Sequence, residues 1–165
     1  VDFNYMTAAF ESGIADYCTM FEPTASDYEA EGKGYIVASV GEQSGEIPYT
    51  CFAARQSYID ENPDKIEGLL RAVTKAIKFT MENDAATIAG YLTAYFDGTS
   101  EESLANSVQA YKDIDAWVTN MAMEESAFTR LQDVIENSGE LERRVDFDEL
   151  ILTDAARKVY EEVYS

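Results

Sequence analysis

Residues 14–21 read Ile14-Ala-Asp-Tyr-Cys-Thr-Met-Phe21, and residues 35–40 read Tyr35-Ile-Val-Ala-Ser-Val40. Both are short apolar runs rich in aromatic and β-branched residues, which is typical of buried strands. A helix is predicted to precede the first run and to end at Gly13. A second helix is predicted between the runs, with Pro23 in its first turn and glycines after Glu31. This helix–strand–helix–strand order predicts an α/β layer with parallel strands.

The chain changes character near residue 48. Gly41–Pro48 contains two glycines and a proline among polar residues, which predicts a loop. Tyr49–Ala54 is apolar and is either one more strand or an extended segment. The remainder predicts five amphipathic helices, because apolar residues recur there at helical spacing. Four of these helices have a predicted start: Asn62-Pro63, Asp84, a capping box over Thr99–Glu102, and Thr153. Gly139 is the predicted end of the other. We therefore divide the chain into residues 1–48 and 49–165.

Composition excludes several functional classes. The 165 residues carry 12 Lys and Arg against 32 Asp and Glu, a net charge of −20, and no histidine. Nucleic-acid binding needs a clustered excess of basic residues, and catalysis by a histidine base or triad needs histidine. The spacings of calcium and phosphate loops are also absent. No metal or cofactor is expected, and Cys18 and Cys51 are predicted to be buried free thiols.

Two or three parallel strands would leave open sheet edges. Parallel sheets are nearly always covered on both faces, so a sheet this small needs further elements. We expect that part of the fold lies outside this sequence or is supplied by a second copy. Exposed apolar surface and self-association of the 165-residue chain are the corresponding expectations.

The segment around Glu22 is the first candidate binding site. Glu22 follows a predicted strand at the start of a helix, where ligands bind in open α/β sheets. Its carboxylate can accept hydrogen bonds from amino groups, and the local amides can donate to an anion. The alternative is that Glu22 only caps the helix. A second candidate is the segment through Tyr49 and Thr50, whose alternative is an ordinary linker.

Six segments, taken in order, carry a family resemblance: Phe10–Tyr17, Phe21–Ser26, Gly34–Gly41, Ile47–Thr50, Tyr58–Pro63 and Phe128–Val134. They resemble the solute-binding proteins of nitrate, sulfonate and taurine ABC importers. That family also includes proteins that bind pyrimidine precursors of thiamine. The resemblance extends over nearly the whole chain.

The resemblance implies a type II periplasmic-binding-protein-like fold, of which this chain is a part. In such proteins two α/β lobes, joined by crossover segments, trap the ligand between them. Residues 1–48 would be the second half of the far lobe. Residues 49–165 would be a crossover segment and the C-terminal helices of the first lobe. Members of the family are about twice this length.

The two candidate segments and the resemblance together give the predicted ligand-binding residues. They are Gly13, Asp16, Phe21, Glu22, Pro23, Thr24, Tyr49 and Thr50. Glu22 corresponds to a position at which an acid can meet a ligand amine, as in an aminopyrimidine. A sulfonate or nitrate would instead need amides and hydroxyls, such as those of Thr24, Ser26 and Thr50.

The expected function is therefore non-enzymatic capture of a small polar solute and its delivery to an ABC permease and its ATPase. The protein is expected to be extracytoplasmic, with a signal sequence outside the residues given, since the opening residues do not form one. The alternatives are a pyrimidine-precursor biosynthetic enzyme or a ligand-sensing domain on the same fold. The enzymes of this type use histidine and a cysteine-rich motif, which this sequence lacks.

Overall fold

The computed structural model of the chain describes residues 5–165, which contain ten α-helices and a 3₁₀ helix at Thr93–Tyr95. In chain order the α-helices are α1 (Met6–Glu11), α2 (Thr24–Ala30), α3 (Val40–Ser44), α4 (Gln56–Glu61), α5 (Pro63–Glu82), α6 (Ala85–Leu92), α7 (Glu101–Asp113), α8 (Glu125–Asn137), α9 (Phe147–Leu150) and α10 (Asp154–Tyr164). The five helices predicted for the later part of the chain are confirmed as α5, α6, α7, α8 and α10.

The chain divides into two compact units. The first comprises the residues up to Ser39 together with Asn83–Ile114, and it contains α1, α2, α6 and α7. The second comprises Val40–Glu82 and Asp115–Ser165. The predicted division into residues 1–48 and 49–165 concerns the lobes of a longer fold, and it stays a prediction.

The core of the first unit lies between α6 and α7, and α2 also packs on α7. Ile88 and Ala89 of α6 and Leu104 and Val108 of α7 are buried. Both helices begin at a side-chain cap that accepts an otherwise unpaired backbone N–H, and the cap of α6 is Asp84, as predicted. The N–H of Thr87, 2.7 Å from Asp84 Oδ1, lowers the pKa of that carboxyl.

In the second unit α10 packs on the long helix α5. Val159 and Ala156 of α10 are buried, as is Thr74 of α5. Pro63 is the first residue of α5, as predicted, where its missing N–H costs nothing. A second buried cluster includes Phe128 of α8. Its ring packs edge to face on the ring of Phe147, with 5.7 Å between the ring centroids.

The predicted strands are not seen, so the α/β layer expected from the sequence is wrong for the described residues. Between residues 5 and 165 no residue lies in a β-strand. Ile14–Phe21 and most of Tyr35–Val40 have no regular secondary structure, and Ile14 is 77%, Tyr35 87% and Val37 73% exposed. A strand is stabilised by hydrogen bonds to a neighbouring strand, and the described residues offer none. The N–H of Ile36 instead donates to Glu29 Oε1 at 3.0 Å.

Three smaller predictions are also corrected. The predicted loop Gly41–Pro48 contains most of the short helix α3. Of the two alternatives for Tyr49–Ala54, the strand is not seen, since these residues have no regular secondary structure. Cys18 and Cys51 are free thiols, but Cys51 is exposed and Cys18 only half-buried. The predicted capping box at Thr99 is replaced by a simple cap at Ser100. Ser100 caps α7 by accepting the Ser103 N–H at 3.0 Å, whereas Thr99 donates to Asp27.

Within the described part of the chain, no helix combines the length and apolar character needed to span a membrane. The same residues contain no group of three acidic or cysteine side chains placed to hold a metal ion.

Candidate functional site

The candidate site is built around the start of α2. The segment that leads to it begins at Gly13, which ends α1 with a positive φ of 73°. The N–H groups of Gly13 and Ile14 donate to the carbonyls of Phe10 and Ala9, both at the end of α1, which is the glycine-closed helix end predicted from the sequence. After Gly13 the chain is exposed or half-buried as far as Thr24, and the Glu22–Pro23 peptide bond is cis.

The Glu22 carboxylate is held through one of its two oxygens. Glu22 Oε2 accepts the backbone N–H of Ser26 at 3.0 Å and the hydroxyl of Ser107 at 3.2 Å. Ser26 and Ser107 are both buried, whereas Glu22 is half-buried. Among the described residues, none donates a hydrogen bond to Glu22 Oε1. A carboxylate offers about four acceptor positions, so Oε1 can still accept donors from a bound molecule.

Three of the backbone donors at the start of α2 are already used. Ala25 N donates to the Phe21 carbonyl at 3.1 Å, and Asp27 N donates to the Pro23 carbonyl at 2.9 Å. Ser26 N donates to Glu22. These three amides are therefore not available to an anionic ligand.

The Glu22 carboxylate has no matching cation among the described residues. None of the ion pairs in the described residues includes Glu22. The half-buried position makes water a less complete substitute for a counter-ion than at the open surface. The arrangement therefore favours a ligand that brings a positive charge or an N–H donor.

A separate polar cluster ties α1 to α2 beside this segment. The Tyr28 hydroxyl donates to Glu11 Oε1 at 2.9 Å, and Lys33 Nζ lies 3.3 Å from the same oxygen. The Tyr28 hydrogen bond, and then Lys33, lower the pKa of Glu11. The same hydrogen bond raises the pKa of Tyr28. Glu11 thus has both a hydroxyl and a cation as partners, whereas among the described residues Glu22 has a hydroxyl partner, Ser107, and no cation.

The other predicted site residues are distributed unevenly. Phe21, Glu22, Pro23 and Thr24 lie together at the start of α2, in the first unit. Asp16 and Gly13 are exposed in the segment before it. Tyr49 and Thr50 belong to the second unit, where both are exposed. A shallow cavity of about 440 Å³ in that unit lies along α8, beside Glu125 and Asp133, and is lined by none of the predicted site residues.

Sequence reasoning did not identify Ser107 as part of this site. Ser107 lies 85 positions after Glu22 in an amphipathic helix. Small residues such as serine are common in such helices and do not by themselves indicate a binding site. The local signal was the placement of Ser103 and Ser107 on the same face as Leu104 and Val108. Two buried hydroxyls on an apolar face require hydrogen-bond partners, and one such partner here is a carboxylate.

Comparison with known proteins agrees with the family resemblance of the sequence. A model of the NMT1-like family matches residues 1–93. The chain is 35% identical over 162 residues to YtlA of Bacillus subtilis, a protein named for a binding role. That match includes 98% of this chain and 48% of YtlA, so the chain spans about half the length of this relative. No solved structure matches the chain. The family and the relative point to a binding protein rather than an enzyme.

Proposed function

The chain belongs to the NMT1-like family, and from that premise we propose that it is part of the solute-binding component of an ABC importer. The solute is a small polar molecule with an amino group, such as a pyrimidine precursor of thiamine. It is captured between two lobes of a periplasmic-binding-protein-like fold and passed to the permease and ATPase subunits. Closure of two lobes around a ligand is a common mechanism in such proteins.

The observation that carries this proposal is the Glu22 carboxylate. It is fixed through Oε2, leaves Oε1 able to accept, and has no ion-pair partner among the described residues. An exocyclic amine or a protonated ring nitrogen would supply both the hydrogen bond and the complementary charge. Hydrogen bonds to charged groups contribute about 1.5–3 kcal/mol, which is enough to select an amine over a molecule that lacks one.

The hydrogen bonds at the start of α2 disfavour the anionic solutes of the same family. A sulfonate or nitrate at this position would compete with Glu22 for the Ser26 N–H and would meet a negative charge. Ala25 and Asp27 also offer no spare backbone donor. An amino-bearing solute avoids both penalties.

The second face of the binding cleft would come from the other lobe. We assign the Glu22 face of the cleft to the unit that contains both α2 and α7, in which Ser107 contacts Glu22. Tyr49 would then supply an aromatic face and Thr50 a hydroxyl to the solute. Gly13, Asp16 and Phe21 would line the cleft on the side of Glu22. The extracytoplasmic location of the protein follows from the same proposed role.

Calorimetric titration of the intact protein tests this function. The probes are the hydroxymethyl-aminopyrimidine precursor of thiamine, nitrate, and a sulfonate without an amino group. We expect the aminopyrimidine to bind most tightly. Glu22→Gln should weaken that binding by about 1–3 kcal/mol, because it removes the charge on the acceptor.

Glu102→Gln is the matched control. Glu102 is an exposed glutamate in the first turn of α7, and its side chain forms no hydrogen bond or ion pair with another described residue. The control should bind as the unsubstituted protein does. Tight binding of nitrate or the sulfonate, unaffected by Glu22→Gln, would contradict the proposal.

A further inference from the structure

We propose that Ser107 is a positioning residue: it fixes the carboxylate of Glu22, which in turn binds the solute. This inference rests on the proposed function, because it concerns how the same carboxylate is presented to an amino-bearing solute. It assigns a role to a residue of α7 that lies far along the chain from the segment predicted to bind the ligand.

The Ser107 hydroxyl lies between two acceptors. Its Oγ is 2.7 Å from the carbonyl oxygen of Ser103 and 3.2 Å from Glu22 Oε2. A serine hydroxyl has one hydrogen, so a full donation to one acceptor is made at the expense of the other. The Ser103 carbonyl, inside a helix, can also accept a backbone N–H of α7. Among the described residues, Glu22 Oε2 has only the Ser26 N–H besides Ser107.

The two donors approach Glu22 Oε2 from different elements. Ser26 N belongs to α2, whereas Ser107 belongs to α7, the helix that contributes most to the core of the first unit. A glutamate side chain loses substantial rotamer freedom when it is fixed. When the Ser107 hydroxyl turns toward Glu22, two donors hold Oε2 and leave Oε1 for the ligand. Such preorganisation reduces the entropic cost of binding.

A second contact of the same kind provides an internal control. The Thr99 hydroxyl donates to Asp27 Oδ2 at 3.2 Å, so it also joins a residue of α2 to the segment that begins α7. Thr99 does not contact Glu22. If Ser107 only held α2 against α7, then loss of either hydroxyl should have the same effect on solute binding.

The experiment is a double-mutant cycle in the intact protein, with the hydroxymethyl-aminopyrimidine as the probe. Ser107→Ala should weaken binding about tenfold, since the donor is lost from a charged acceptor. The same change in a Glu22→Gln background should have an effect of less than about twofold, because residues that act through one another are not additive. Ser107→Thr, which retains the hydroxyl, should restore affinity. Thr99→Val should change affinity by less than about twofold although it lowers the melting temperature.

The outcomes separate this inference from the proposed function. If Glu22→Gln weakens binding and Ser107→Ala does not, the role of Ser107 is overturned and the proposed function stands. Additive effects of Ser107→Ala and Glu22→Gln, or equal losses of affinity in Ser107→Ala and Thr99→Val, also overturn it. Failure of the unsubstituted protein to bind the aminopyrimidine overturns both.

Discussion

Two parts of the first unit are rich in apolar residues but differ greatly in burial. In α6 and α7, Ile88, Leu104 and Val108 are almost completely buried against each other. In the segments before them, Ile14, Tyr35 and Val37 are mostly exposed. Both parts were predicted from the sequence to face a core, and only the helical part does so.

The difference follows from how each kind of element satisfies its backbone. A helix makes its hydrogen bonds within itself, so an amphipathic helix needs only one apolar neighbour. A strand makes its hydrogen bonds to another strand, so it needs a partner before it can bury a side chain. The described residues supply helical neighbours for α6 and α7. They supply no strand for residues 14–21 or 35–40.

The largest expected effect is on the helical core. Leu104 is only 2% exposed, and Leu104→Ala should destabilise the protein by about 2–5 kcal/mol, because it removes buried methyl groups and leaves a cavity. Val37→Ala is the control in the exposed segment, where we expect a change within about 0.5 kcal/mol. Chemical denaturation of the two variants measures both effects. A cost at Val37 that approached the cost at Leu104 would show that the exposed segment is covered in solution.

The helical part of the fold could be predicted because its signals are local. The starts of α5 and α6 follow from Pro63 and Asp84, and the end of α1 follows from Gly13. The strands could not be predicted in the same way. Residues such as Tyr35 and Val37 have high strand propensity, but propensity does not supply a pairing partner.

The exposed segments should have the second largest effect, on association of the 165-residue chain with itself. Val37→Lys should weaken this association by about tenfold or more, since burying a valine side chain contributes about 1.5–3 kcal/mol. Val134→Lys is the control, because Val134 is also exposed but lies in α8. Both variants change the net charge equally. Sedimentation equilibrium over a range of protein concentrations measures the difference.

A monomer at every concentration, with a single cooperative melting transition, would contradict the expectation of self-association. Equal weakening by Val37→Lys and Val134→Lys would assign the effect to charge rather than to the exposed segment.

A smaller effect is expected at the cap of α7. Ser100→Ala should destabilise the protein by about 1 kcal/mol, because it removes the acceptor for the Ser103 N–H. Ser126→Ala is the control in the first turn of α8, where the exposed serine is not the cap. Thermal unfolding should separate the two variants. Equal stabilities would mean that the Ser100 hydroxyl does not satisfy this backbone group.

The candidate site was only partly accessible to sequence reasoning, and the reason is geometric. Glu22 could be selected because an acid after an apolar run and before Pro23 stands at a helix start. Ser107 could not, because its hydrogen bond to Glu22 depends on how α2 packs on α7. No spacing rule links positions 85 residues apart.

The smallest expected effect comes from charged residues at the edge of the α5–α10 contact. This contact has a buried core, unlike the exposed segments 14–21 and 35–40. Arg71 of α5 donates to Glu162 of α10, and this hydrogen bond lowers the pKa of Glu162 below its usual value of 4.5. The folded state therefore binds a proton at Glu162 less readily than the unfolded state does. The resulting stabilisation is present above the usual carboxyl pKa and is lost as the pH falls through the lowered value.

Glu162→Gln should accordingly lower the melting temperature slightly at neutral pH, and this difference from the unsubstituted protein should vanish in acid. Glu161→Gln is the matched control, because the neighbouring Glu161 is exposed and its carboxylate forms no recorded ion pair. Added salt should also reduce the effect of Glu162→Gln, since exposed pairs are screened. A difference that persisted in acid and at high salt would mean that Glu162 contributes by packing against α5 and not by its charge.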